Sequence, residues 1–300
     1  MKIVVAGGTG FVGGAVIERL RSGGHDVVAL ARDTSRAALP AGVQCVRWDG
    51  ETVGAWAPHV READAVVNLA GASLAGGRWT SWRKREILAS RVNATRALLD
   101  AMAGGERTPR VYVSSSAVGY YGDVESGDVT EDHPPGFGFL ADVCVRWEQE
   151  ALAASGLGAR VVILRTGVVL GSGGGALPRM MLPFRLFAGG PVGSGRQAFP
   201  WIHRDDVADI VAFAISRDDV RGPLNVTAPE AVDMRGFCAA LGRALSRPSW
   251  LPVPPFVLRA ALGEMADMLL TGQRVVPARL TMLGYTFRYP TLAPALASIF

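Results

Sequence analysis

The chain opens on Ile3-Val4-Val5-Ala6 followed by glycines at positions 7, 10 and 13, and this junction limits what it can fold into more than any other feature. A β-branched run without polar interruption suits a strand buried on both faces. Three glycines at this spacing suit the turn out of such a strand. Gly7 permits a tight turn, Gly10 lets backbone approach a ligand closely, and Gly13 lets the next helix pack onto the sheet. Ala15 to Leu20 is apolar at helical spacing, so a helix N-terminus points at the loop. Its free N–H groups and partial positive charge suit a pyrophosphate. With a second strand on time at Asp26 to Ala31, the junction predicts a dinucleotide site held by Gly7, Thr9, Gly10, Phe11, Val12 and Gly13.

The second strand ends at Arg32-Asp33, where such a unit reads the adenosine ribose. An acid there accepts from the free 2′-hydroxyl of NAD, and an arginine grips the 2′-phosphate of NADP through charge-assisted bonds. Arg32 holds the strand-end position, which favours NADP(H). A third strand at Val43 to Val46 leads to Asp49, in reach of the adenine. A fourth, from Ala65, ends in Leu69-Ala70-Gly71, small enough to leave room for the cofactor. Strand and helix alternate through a fifth strand ending at Ser114 and another at Arg160 to Leu164. This rhythm predicts an α/β, Rossmann-type, doubly wound parallel sheet.

After Arg165 the rhythm breaks. Gly171 to Gly175 reads as a loop, Pro178 to Phe187 as a short helix and Gly189 to Pro200 as a glycine-rich hairpin. The expected organisation is a binding domain over 1–230, with a substrate-side insertion at about 171–203, and a smaller, mostly helical C-terminal region over 231–300 packing on the cleft.

Composition excludes several classes. A net charge of +4 in 300 residues, scattered along the chain, argues against a nucleic-acid partner. Cys45, Cys144 and Cys238 lie far apart and form neither a disulfide framework nor a metal site. No apolar run reaches spanning length, and the chain starts on a strand rather than a leader, so a cytoplasmic location and no membrane partner are expected. Oligomeric state has no signature.

The assembled motifs resemble the extended short-chain dehydrogenase/reductases, the NAD(P)-binding superfamily that includes nucleotide-sugar epimerases. The residues carrying the resemblance are the Gly7–Gly13 turn, Asn68-Leu69-Ala70-Gly71, Val92-Asn93-Ala94-Thr95, Ser114-Ser115-Ser116, Leu164-Arg165 and Trp201-Ile202-His203. GGRWTSWRK, SSSAVGYYG, PWIHRDD and GEMADMLLTGQRVVP resemble one atypical subgroup, with a C-terminal domain of unknown function. The resemblance implies NADP(H) and a small-molecule substrate, a sugar nucleotide or another carbonyl compound. It assigns Asn93, Ser114 and Arg165 to the cofactor side and Ser116 to catalysis.

The superfamily chemistry also uses a tyrosine and a lysine four residues apart on one helix. Matching that helix by Trp147-Glu148 puts Leu140 and Cys144 in those places. Lys2 and Lys84 are the chain's lysines, so no shift of register restores the pair. Tyr120 or Tyr121 is then the candidate phenol, with Lys84 or Arg165 the nearby cation. Trp79, Lys84 and His203 are the candidate substrate contacts. Two readings stand: an NADP-dependent oxidoreductase or epimerase, and a non-catalytic NADP(H)-binding redox sensor or scaffold. A vestigial site is a third.

Overall fold

The computed structural model describes residues 1–35 and 39–300. The elements in order are β1 (Lys2–Ala6), α1 (Phe11–Ser22), β2 (Asp26–Ala31), β3 (Gln44–Arg47), α2 (Ala57–Arg61), β4 (Ala65–Asn68), α3 (Ser81–Ala103), β5 (Val111–Ala117), β6 (Asp128–Val129) and α4 (Phe139–Leu152). Then follow β7 (Arg160–Thr166), β8 (Val168–Leu170), α5 (Leu177–Arg185), β9 (Trp201–His203), α6 (Arg204–Ser216), β10 (Gly222–Val226) and α7 (Met234–Ala244). The last are α8 (Pro255–Leu262), α9 (Asp267–Leu270), β11 (Arg274–Val275), α10 (Ala278–Met282) and α11 (Leu292–Ala297).

Seven strands form one sheet in the order β10-β7-β5-β4-β1-β2-β3, and every pairing in it is parallel. Alternate residues of β1 feed opposite faces, as the pleat requires. Ile3 and Val5 pack under α1 and α6 with Val16, Ile17, Ile210 and Val211. Val4 and Ala6 pack against α2 and α3 with Val60, Leu98 and Met102. The order reverses between β1 and β4, and a doubly wound sheet opens its ligand crevice at the carboxyl ends flanking such a reversal.

A third core holds the insertion and the C-terminal helices together. Trp201, Phe199 and Phe184 pack there with Phe237 and Leu241 of α7 and Leu296 of α11. The segment 189–200 is not the hairpin its glycines suggest. Val192 pairs in parallel with Val253 and Ala198 pairs with Asp233, so two distant segments satisfy its backbone instead of its own return strand. α3 starts at Ser81, where the Thr80 hydroxyl caps it by accepting from the Arg83 N–H. Among the described residues no helix is long and apolar enough to cross a membrane.

Candidate functional site: a dinucleotide cradle beside an aromatic cavity

The glycine turn is built by close backbone approach. Gly7 has φ +77°, and a Cβ there would sit 2.8 Å from the Leu69 carbonyl carbon. At Gly13 a Cβ would lie 2.2 Å from the Gly7 carbonyl oxygen. Gly10 occupies the cap position of α1 with no side chain on the helix end, so the first N–H groups face the crevice. A cavity of about 340 Å³ opens there, walled by Thr9, Gly10, Arg32, Asp49, Leu69 and Gly71. An extended dinucleotide phosphate fits a cradle of this kind, from which side chains are sterically excluded.

Arg32 stands exposed at the end of β2 on that wall. Asp33 is turned onto its own loop, accepting from the Ser35 N–H at 3.0 Å and hydroxyl at 2.6 Å. Asp49 does likewise, accepting from the N–H groups of Glu51 and Thr52 at 2.9 and 3.0 Å and from the Thr52 hydroxyl. These bonds, the Thr52 hydroxyl's first, hold its carboxyl at a pKa of about 2. Trp48 and Trp56, edge to face at 5.5 Å, back that loop.

The side chains of other expected cofactor residues point elsewhere. The Phe11 ring wedges under the glycine loop, where a Cβ at Gly174 would meet it at 2.7 Å, and Arg204 lies 5.4 Å above it. Its side chain therefore props the loop at 171–175, and Val12, partly buried, packs against the core. Ser114 is wholly buried in the sheet, its hydroxyl donating to the Ser115 carbonyl at 3.3 Å. Asn93 is half-buried on α3, next to Ala94 of the cavity wall. Asn68, given no separate role by its motif, organises the end of β4. Its amide donates to Thr95 Oγ1 at 3.0 Å and Tyr112 Oη at 3.1 Å, while its Oδ1 accepts from the Ala70 N–H at 3.1 Å.

The proton-handling positions are committed to the interior. Arg165 pairs with Glu148 through two bonds, Nε to Oε1 at 3.0 Å and Nη2 to Oε2 at 2.8 Å. Ser116 donates to the same Glu148 Oε1 at 2.6 Å. Arg165 Nη1 also donates to the Tyr121 hydroxyl at 3.0 Å and to the Glu131 carbonyl at 3.1 Å. The Tyr121 hydroxyl donates to Asn225 Oδ1 at 2.5 Å. Burial works against the Arg165 charge, but Glu148 more than offsets it and the guanidinium pKa is raised.

These contacts correct three expectations. Arg165 is 4% exposed and holds a buried carboxylate, not the cofactor. Tyr121 is 1% exposed, and burial pushes its phenol up to about 12, opposite to what a proton relay needs. Ser116 keeps its place at the end of β5 but spends its proton on Glu148. Tyr120 is half-buried with its ring 3.5 Å from the Arg165 guanidinium carbon, a cation–π contact. Cys144 is a buried thiol raised to about 11, first by burial and then by Glu148. Glu148, Glu131 and Asn225 escaped the sequence reading, and the only signal for Glu148 was its place beside Trp147.

A second cavity, also about 340 Å³, opens beyond the end of β5 under the C-terminal segment. Val118, Gly119 and Leu140 form its sheet side, and Glu264, Asp267 and Met268 its far side. Trp79 lines it, edge to face with Phe139 at 5.2 Å. Lys84 pairs with Glu264 and sits 5.2 Å over the Phe139 ring, so it straps α3 to the C-terminal segment.

His203 is absent from this wall. It caps α6, its Nδ1 accepting from the Asp205 N–H at 3.1 Å. The hydrogen therefore sits on Nε2, which faces Ser298 Oγ at 3.4 Å, and the ring packs 4.1 Å from Tyr289. Burial lowers its pKa; Asp205 opposes this, and Arg204 and Arg288 reinforce it. The unfolded chain therefore binds this proton more readily than the folded one. Its stabilisation is complete above the unfolded pKa of about 6.5 and declines as pH falls through that value toward the folded one. Melting temperature should fall between about pH 7 and 5, and less steeply in His203→Asn, which retains a capping acceptor. Equal slopes would assign the acid sensitivity elsewhere, as to His25, also lowered, first by burial.

Residues 3–227 match the sequence profile of the NAD dependent epimerase/dehydratase family. The chain belongs to that family. Residues 253–299 match a domain of unknown function, DUF1731. The chain is 43% identical to the chloroplastic SDR39U1 homologue of Arabidopsis thaliana, an epimerase family protein, over all of this chain and 86% of that one. It is 40% identical to the mouse epimerase family protein SDR39U1, over all of this chain and 99% of the other. The crystal structure of human SDR39U1 with NADPH superposes with a TM-score of 0.88 at 37% identity, covering 100% of this chain and 99% of that one. The parallel sheet of the superposed human structure is thus present here.

Proposed function

We propose that this chain is an NADP(H)-dependent oxidoreductase that holds its cofactor across the ends of β1, β2 and β4 and a small ligand in the cavity beside Trp79. The observation carrying this reading is the pairing of two cavities at the carboxyl ends of adjacent strands, β4 and β5. The human relative crystallised with NADPH supports the choice of cofactor. Gly7, Gly10 and the first turn of α1 would hold the pyrophosphate, Arg32 the 2′-phosphate, and Leu69 to Gly71 the inner half. Bound there, the cofactor would supply or accept a hydride. Leu140 brings no proton, and Ser116 and Tyr121 donate inward, so the usual side-chain relay takes no part.

Arg32→Ala tests the cofactor half. Loss of charge-assisted bonds to a phosphate should cost about 1.5–3 kcal/mol, roughly ten- to a hundredfold in Kd for NADPH. NADH affinity should hardly change. Titration by nicotinamide fluorescence reads both, and equal losses would remove the phosphate role.

The alternative is a non-catalytic NADP(H)-responsive protein. One observation favours it: the hydroxyls of Ser116 and Tyr121 and the thiol of Cys144 all point to internal partners. Oxidation of NADPH by any carbonyl compound, followed by absorbance, would exclude it. Saturable binding of cofactor and ligand with no turnover would favour it.

A further inference from the structure

The cavity beside Trp79 carries charge of one sign. Its ionisable wall residues are Asp123, Glu264 and Asp267, and among the described residues no lysine, arginine or histidine lines it. Nearby cations are already engaged. Lys84 pairs with Glu264, Arg259 pairs with Asp267 at 3.3 Å, and Arg78 donates to the carbonyls of Ala260 and Ala261. The polar groups are engaged too. Gln273 Nε2 donates to the Val118 carbonyl at 2.7 Å, and Asp123 Oδ1 accepts from the Gly272 N–H at 3.2 Å. Trp79, Phe139, Phe199, Leu140 and Met268 are among the large apolar side chains of the wall, with Phe137 at its edge.

One feature pulls the other way. α4 begins on this wall with Gly138 as its cap and no side chain on its end. A helix N-terminus carries roughly half an elementary charge. That suffices to polarise a carbonyl oxygen. It does not offset a diphosphate facing three carboxylates whose neighbouring cations, Lys84 and Arg259, are already paired to two of them and stand outside the wall. Size agrees: about 340 Å³ is at the small end of ligand sites, which span ~300–1,000 Å³.

We propose that this cavity selects an uncharged, flat, largely apolar carbonyl compound and rejects nucleoside diphosphate sugars, the one-signed wall and the Trp79–Phe139 pair deciding both. The proposal rests on the oxidoreductase reading for the cofactor beside it. The test uses the full chain, first titrated with NADPH alone by thermal shift; no response at that stage would sink the cofactor reading itself. The NADPH-loaded protein is then titrated with 9,10-phenanthrenequinone and acetophenone in one arm and UDP-glucose and UDP-glucuronic acid in the other. The aromatic carbonyls should raise the melting temperature saturably, and the sugar nucleotides should leave it unchanged. Trp79→Ala should weaken the aromatic response about three- to tenfold. Phe137→Ala should also weaken it, and this side chain is 98% exposed, so its loss leaves the fold intact. A sugar nucleotide that binds and is weakened by either substitution would overturn the proposal, as would no response to either class once NADPH has bound.

Discussion

Replacing Arg165 with methionine should lower the unfolding free energy by about 3–5 kcal/mol, the range for removing one partner of a buried ion pair. The Arg165 and Glu148 side chains are 5% and 8% exposed, so solvent screens neither. Removing the guanidinium strands a buried carboxylate with the Ser116 hydroxyl as its remaining side-chain donor. It also takes a donor from the Tyr121 hydroxyl and the Glu131 carbonyl. Removing both charges, as in Arg165→Met with Glu148→Leu, should recover most of the loss, because no unpaired charge remains. Denaturant midpoints at unchanged slope would read the difference. A single substitution costing under about 1 kcal/mol, or a double one no better than the single, would show that this pair does not hold the end of β7 to α4.

Gly13→Ala should be the more damaging change for the proposed cofactor. The added carbon would sit 2.2 Å from the Gly7 carbonyl oxygen and 2.8 Å from the Gly8 Cα, and all of these are backbone atoms. No rotamer relieves the clash, so α1 must move off the turn. Overpacking of this kind costs about 1–3 kcal/mol in stability. Displaced N–H groups should weaken NADPH at least about tenfold, since even 1.4 kcal/mol of lost contact has that effect. Gly14→Ala, one residue along the same helix, is the control. A Cβ there meets nothing within 4 Å, and alanine outranks glycine in a helix by about 1 kcal/mol, so this variant should be neutral or more stable. Melting temperature and fluorescence titration of the two variants separate steric blockage of the cradle from a general intolerance of change in α1. Similar behaviour of both would remove the close-packing account.

The cradle was readable because its determinants are local. Ile3 to Gly13 contains a buried strand, a turn that needs glycine and a helix start, each specified by neighbours a few residues away. The same holds for Arg32, whose position follows from the length of β2. His203 was misjudged because a histidine ahead of two aspartates serves equally as a helix cap and as a ligand contact, and choosing needs the position of Tyr289 and Ser298. The aromatic cavity was half visible, through Trp79 and Lys84. Two of its three carboxylates, Glu264 and Asp267, come from the C-terminal segment, more than a hundred residues on, and nothing local aims Glu264 at Lys84.

The amino-acid sequence alone determined the layered parallel sheet, the glycine cradle and the absence of any lysine four residues after a tyrosine, since β-branched runs, glycine spacing and residue identity act over one turn of chain. Tertiary structure alone decided which way the polar side chains at the crevice face. Tyr121 meets Asn225 across 104 residues and Arg165 meets Glu148 across 17. A buried donor must find its acceptor wherever the fold brings one, and that choice is made by packing rather than by propensity.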